Sequence, residues 1–141
     1  MGTGSGNIII SLTKHLGSRH SYFASDVSKK ALAVAKKNAK LHKVRIKFKQ
    51  GSLLEPWKNE KFDILVANLP YGWKKWKNNT SAATIGLKFE PENSLFTKKS
   101  GLLLINKLLK QAGKHPPSII FLEFDPRQIQ TLKIMIKKHF P

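Results

Sequence analysis

Apolar residues recur along this chain in two rhythms, and the change from one to the other marks out its elements. The run Ile8-Ile9-Ile10 opens a helix predicted over residues 6–16 and stopped by Gly17 in a left-handed conformation. Tyr22-Phe23-Ala24 is a short strand closed by Asp26, and a helix capped by Asp26 or Ser28 follows. In that helix Ala31, Leu32, Val34, Ala35 and Ala39 form the inward stripe and the intervening lysines face water. Val44, Ile46 and Phe48 alternate with Arg45, Lys47 and Lys49, the period of a strand with one polar face, which suits a sheet edge. Residues 62–67, Phe-Asp-Ile-Leu-Val-Ala, are almost continuously apolar, as in a strand buried on both faces of a parallel sheet. A helix over 102–112, a buried strand over 118–124 and a last helix begun by Asp125 and Pro126 complete the pattern, with Ile129, Leu132 and Ile136 as its inner face. The order helix, strand, helix, strand, strand, helix, strand, helix is an α/β arrangement.

One stretch breaks the rhythm. Residues 72–100 are irregular and lysine-rich, too long for a plain connection in a compact domain, and are expected to form a substrate-facing loop. Within it, Trp73 and Trp76 stand among lysines, placed either to stack on bases or to pack on the core.

The glycine loop at the start changes the picture from fold to function. Gly2-Thr3-Gly4-Ser5-Gly6 lets the backbone turn tightly and approach a ligand, with its N–H groups and those of the following helix pointing outward. Asp26 lies about 20 residues beyond Gly6 at the end of a strand, where a doubly wound fold places a carboxylate for ribose hydroxyls. A dinucleotide fingerprint runs G-x-G-x-x-G, which counted from Gly2 would need glycine at position 7, occupied here by Asn7. The spacing is G-x-G-x-G instead.

Composition sets outer bounds. With 141 residues, 40% of them hydrophobic and 24% charged, one globular domain is expected. No apolar run reaches the roughly 20 residues of a membrane helix, no signal-peptide pattern is present, and the absence of cysteine rules out disulfides and thiolate metal sites. A cytoplasmic monomer with no metal and no membrane contact is the expectation. The net charge of +18 points to a polyanion such as RNA or the ribosome. All but three of the 26 cations (Arg19, Arg45 and Arg127) are lysines scattered along the chain, a bias that genome composition also produces.

The G-x-G-x-G spacing resembles motif I of the class I S-adenosylmethionine (SAM) methyltransferases, and the wording G-T-G-S-G resembles the branch that modifies amino nitrogens. Residues 31–39 resemble the A-L-x-x-A-x-x-N-A helix of the HemK/PrmC-type protein-(glutamine-N5) methyltransferases. Asn68-Leu69-Pro70-Tyr71 resembles their N-P-P-Y motif, residues 89–95 their E-P-x-x-A-L segment, and residues 121–128 an L-L-E-I-G-x-x-Q stretch, with Ser100-Gly101-Leu102 extending the match. The resemblance implies a Rossmann-like class I fold. It also implies SAM as cofactor, held by Gly2, Thr3, Gly4, Gly6 and Asp26, with Ser52 and Leu53 at the adenine and Asn68 beside the methyl group. The family substrate is the glutamine of peptide chain release factors.

The chemistry suits these residue types. An amide nitrogen is a poor nucleophile because its lone pair is delocalised. The Asn68 carboxamide oxygen and the Leu69 backbone carbonyl each accept one N–H, aiming the free face of the nitrogen at the methyl donor and stabilising the positive charge that develops. Pro70 stiffens the turn and Tyr71 offers a flat surface to the target group. Two departures stand out: Leu69 replaces proline, and Ser52 stands where many relatives carry aspartate. N-L-P-Y is also the wording of ribosomal RNA adenine dimethyltransferases, so adenine-N6 methylation of RNA or DNA is a second reading, and an inactive nucleic-acid-binding remnant a third. Against the family pattern the chain is expected to be truncated at both ends. It would lack the strand before the glycine loop and the final antiparallel strands, leaving a gap between the strand ending at Asp26 and the strand ending at Ala67.

Overall fold

The computed structural model describes residues 1–71 and 101–141. Its elements follow in chain order: α1 (Asn7–Leu16), β1 (Phe23–Asp26), α2 (Lys29–Leu41), β2 (Lys47–Gln50), a 3-10 turn (Glu55–Trp57), β3 (Ile64–Ala67), α3 (Leu103–Ala112), β4 (Ile119–Leu122), a second 3-10 turn (Pro126–Gln128) and α4 (Ile129–His139). Among the described residues the helix and strand order is the one the sequence pattern predicts. The chain divides into two units, one of Met1–Asn68 with Pro117–Phe121, the other of Leu69–Pro116 with Leu122–Pro141.

In the first unit β1 and β2 run parallel, from Phe23 opposite Lys47 to Asp26 opposite Gln50, and α2 makes the crossover between them. β3 and β4 pair in a separate two-stranded sheet. Among the described residues β1 and β3 are not hydrogen-bonded to one another. Leu32, Ala35 and Ala39 are the buried stripe of α2, together with Ala24 of β1 and Ile10 of α1. Gly6 lets α1 approach this stripe. Its φ is +86°, and a Cβ there would stand 3.1 Å from the Ile10 Cδ1 and 3.2 Å from the Ala35 Cβ. Gly17 ends α1 at the predicted position, its N–H donating to the Thr13 carbonyl, but with φ 78° and ψ −176° instead of the left-handed helical pair of angles.

The second unit is built on α3, whose Ile105, Leu108, Leu109 and Ala112 are buried with Leu102 and with Leu132 of α4. The two helices pack together, and the His139 Nε2 lies 3.0 Å from the Asn106 Oδ1.

Burial departs from the sequence pattern at the margins. Val34 is about half exposed, because α2 meets its neighbours through the narrower stripe of Leu32, Ala35 and Ala39. Ile64 of β3 and Phe121 of β4 are 52% and 56% exposed, since each strand has one partner and the sheet is not covered on both faces among the described residues. In α4 Leu132 alone is buried, with Ile129 and Ile136 about two-fifths exposed. No helix among the described residues is long and apolar enough to cross a membrane.

Between the strands of the first unit lies a cavity of about 790 Å³, walled by Phe23 and Ala24 of β1, Leu65 and Val66 of β3, and Ile8 and Leu12 of α1. The first residues of the chain span one end of it. The Met1 ammonium donates to the Val66 carbonyl at 2.8 Å, and the Thr3 N–H donates to the Ser25 carbonyl at 3.0 Å. Burial lowers the Met1 amine from 8.0 to about 6, against the opposing pull of the Asp26 carboxylate. The folded chain thus binds fewer protons than the unfolded chain between pH 6 and 8, and stability is expected to rise with pH through that window and to be lowest below it. The change is on the order of 2 kcal/mol. Urea melts at pH 5.5 and 8.5 measure it, and an amino-acetylated chain, which keeps an N–H but has no charge to lose, should show that contribution abolished.

Candidate active site

Asp26 is the junction of the first unit. Ending β1, it accepts the Gly4 N–H at 2.8 Å through Oδ2 and the Ser28 N–H at 2.8 Å through Oδ1. The Ser28 hydroxyl in turn accepts the Ala31 N–H and caps α2, one of the two caps the sequence offered. One carboxylate therefore ties the glycine loop, the strand end and the helix start together. A carboxylate has about four acceptor positions, so two backbone donors leave it capacity for more.

The loop itself is left-handed at Gly2, Gly4 and Gly6, with φ of 64°, 55° and 86°. Its glycines do different jobs. A Cβ on Gly6 would crowd two side chains, whereas a Cβ on Gly4 would meet nothing within 4 Å. The backbone at Gly4 thus faces open space beside a carboxylate, a place where a polar ligand can approach the chain closely. The Gly6 N–H folds back onto the Thr3 carbonyl at 2.9 Å and closes the turn.

Residues 51–54 are fastened to the same strand. The Gly51 N–H donates to the Asp26 carbonyl at 3.0 Å, and the buried Ser25 hydroxyl donates to the Leu53 carbonyl at 2.8 Å. Leu53 adopts φ 54° with its side chain packed into the fold, while Ser52 is half-buried next to it. Direct hydrogen bonds thus join Gly4 to Asp26, Gly6 to Thr3 and Thr3 to Ser25, with Gly2 next to Thr3 in the chain, while residues 51–54, Ser52 and Leu53 among them, are tied on through the Gly51 N–H and the Leu53 carbonyl. Ser25, which belongs to no sequence motif, is the link. The signal was a lone hydroxyl on a buried strand between Ala24 and Asp26, which has to find a partner inside the fold.

Asn68 follows β3 and is exposed; with Gly2 and Thr3 it also borders the apolar cavity, whose walls include neither Asp26 nor Ser52. The boundary between the units falls after Asn68. In the second unit Leu69 is buried and Pro70 and Tyr71 are half-buried. The Tyr71 hydroxyl donates to the Glu123 Oε1 at 2.9 Å, and the Gln128 Nε2 donates to the Tyr71 carbonyl at 2.8 Å. In the sequence Glu123 and Gln128 stand out only as members of the 121–128 stretch. Trp73, Trp76, residues 89–95 and Ser100 lie outside the described residues. Among the described residues no group of three or more His, Cys, Asp or Glu side chains is placed to hold a metal ion.

A family profile described as a methyltransferase domain matches residues 1–139. The chain belongs to this methyltransferase domain family. It is 33% identical over 142 aligned positions to a release factor glutamine methyltransferase of Lactococcus lactis, an alignment covering 99% of this chain and 51% of that protein. To the protein of the same name from Flavobacterium psychrophilum it is 37% identical, covering 99% and 50%. A bifunctional methyltransferase of Rickettsia typhi is 37% identical, covering 94% and 26%. This methyltransferase domain chain thus spans about half the length, or less, of these curated relatives. Its fold is similar to that of the ribosomal protein L11 methylase from Lactobacillus delbrueckii, with a TM-score of 0.66 at 24% identity over 98% of this chain and 56% of that one. That likeness places the chain in the Rossmann-like class I methylase fold, held here in part, with β1–β2 and β3–β4 as separate pieces of sheet.

Proposed function

We propose that this chain carries the catalytic residues of a SAM-dependent N-methyltransferase whose acceptor is a glutamine amide of peptide chain release factors. The observation that carries the reading is the Asp26 junction, a carboxylate at a strand end holding a left-handed glycine loop whose Gly4 faces open space. A nucleoside cofactor fits that arrangement. Its ribose hydroxyls take the remaining acceptor positions of Asp26, the open backbone face at Gly4 lets it approach the loop closely although the Thr3, Gly4 and Gly6 N–H groups are used within the protein, and Ser52 supplies one hydrogen bond at the base. When bound, SAM supplies an electrophilic methyl group on a sulfonium.

The acceptor side is read from Asn68-Leu69-Pro70-Tyr71, and its likeness to the named relatives supports a glutamine amide. The Asn68 carboxamide oxygen and the Leu69 carbonyl accept the two amide hydrogens, so the nitrogen presents its lone-pair face to the methyl group. Holding both hydrogens also favours the state in which charge builds on nitrogen. Tyr71 gives the planar amide a surface to lie on. Burial of Leu69 supplies from packing some of the rigidity that a proline ring would give at that position.

The test is transfer of a labelled methyl group from SAM to a purified release factor, with the product peptide mapped. Label on the side-chain amide of a single glutamine is the expected result. Label on RNA or DNA adenine, with none on the release factor, would carry the assignment to the second reading, which rests on N-L-P-Y and on the net charge of +18.

A further inference from the structure

Tyr71 is held at both ends by groups from the opposite end of the second unit. The Pro126–Gln128 turn is fixed by a capping box: Asp125 accepts the Arg127 N–H at 2.9 Å, and the Gln128 Oε1 accepts the Asp125 N–H at 3.0 Å. The Arg127 guanidinium grips the same carboxylate with Nε at 2.8 Å and Nη2 at 3.0 Å. Capping explains one end of the Gln128 amide only. Its other end, Nε2, donates to the Tyr71 carbonyl at 2.8 Å, 57 positions away in the chain, from a side chain that is 2% exposed. Gly101 completes the seat. With φ +80°, the position of its absent Cβ lies 1.7 Å from the Tyr71 carbonyl oxygen, so no side chain fits there without moving Tyr71. At the far end of the ring the hydroxyl is tied to Glu123 at 2.9 Å.

We propose that Gln128 and Glu123 are positioning residues for Tyr71, the first setting the place of its backbone and the second the tilt of its ring; this rests on the reading of residues 68–71 as the acceptor loop. Both residues act through Tyr71 and neither touches the transferred group. The residue type at 128 is what separates positioning from capping. Glutamate serves a capping box as well as glutamine does. A glutamate at 128 would keep its bond to the Asp125 N–H but turn a second carboxylate oxygen, with no proton to give, toward the Tyr71 carbonyl. Lowering the pH restores a donor, because a protonated carboxyl offers an O–H. Small displacements at a reacting centre cost rate more than binding.

The experiment uses the full 141-residue chain as wild type, Gln128→Glu and Glu123→Ala. Tyr22 and Tyr71 are its two tyrosines, so ¹³C-labelled tyrosine gives two sets of ring signals, one of them an internal control. Gln128→Glu is expected to shift the Tyr71 signals at pH 8 and leave those of Tyr22 in place. It should lower kcat for methyl transfer to the release factor by about tenfold or more, with the SAM KM within about twofold. Both changes should reverse in part as the pH falls toward 5, relative to wild type. Glu123 is exposed, so Glu123→Ala keeps the fold; it should shift the Tyr71 signals alone and lower kcat by roughly three- to tenfold. Should Gln128→Glu fail to fold, Glu123→Ala carries the test. Tyr71 signals that stay in place in the folded variants, or that move while kcat is unchanged, overturn the proposal. If the wild-type chain transfers no methyl group to a release factor glutamine, the acceptor reading fails and the kinetic half of this proposal with it; the ring signals still decide whether Gln128 and Glu123 hold Tyr71.

Discussion

Replacing Asn68 by alanine is expected to lower turnover at least about a hundredfold while leaving SAM affinity nearly intact. The side chain is exposed at the end of β3, where it supports no packing, so its removal should cost the fold little. What it removes in the proposed mechanism is one of two carbonyl oxygens that hold the acceptor amide and stabilise charge on its nitrogen. That interaction strengthens as the methyl group moves, so its loss falls on kcat. Stopped single-turnover transfer from labelled SAM, beside calorimetric titration of SAM, separates the two quantities. A parallel fall in both would assign Asn68 to cofactor binding, and an unchanged rate would remove it from the mechanism.

The complementary change is Asp26→Ala, for which a loss of SAM affinity on the order of 2–4 kcal/mol is expected. The sequence alone attributes this to two charge-assisted hydrogen bonds to ribose. The structure adds a second cause in the same direction, because the carboxylate also accepts the Gly4 and Ser28 N–H groups. Asp26→Asn tells the causes apart. An amide oxygen still accepts one of the two backbone hydrogens, so the loop should remain partly held while the ribose contacts weaken. Calorimetry on the three chains should rank them wild type, Asn, Ala. Equal affinity in all three would end the ribose assignment.

Much of this site is legible in the sequence because it rests on residues with few physical roles. A glycine needed at positive φ and a carboxylate at a strand end declare themselves by type and spacing, and Gly6, Gly17 and Asp26 sit where that reasoning puts them. Side chains whose partners are distant in sequence do not. Nothing near Gln128 in the chain shows that its amide reaches Tyr71, and nothing near Ser25 shows that its hydroxyl seats Leu53. The fold follows the same division. Helix and strand order comes from local periodicity, whereas the exposure of Ile64 and Phe121 depends on which strands find partners.

Residues 1–3 give the site a mechanical character. Met1 is bonded to Val66 in one piece of sheet and Thr3 to Ser25 in the other, and the next residue, Gly4, is the one Asp26 holds. The glycine loop is thus a splint laid across two pieces of sheet that share no ladder of their own. A force that draws β1 and β3 apart is carried in part by the Met1–Val66 and Thr3–Ser25 hydrogen bonds at the two ends of this short segment. In the proposed enzyme, cofactor affinity would then behave as a strain gauge, registering separation of the strands before either sheet has unfolded.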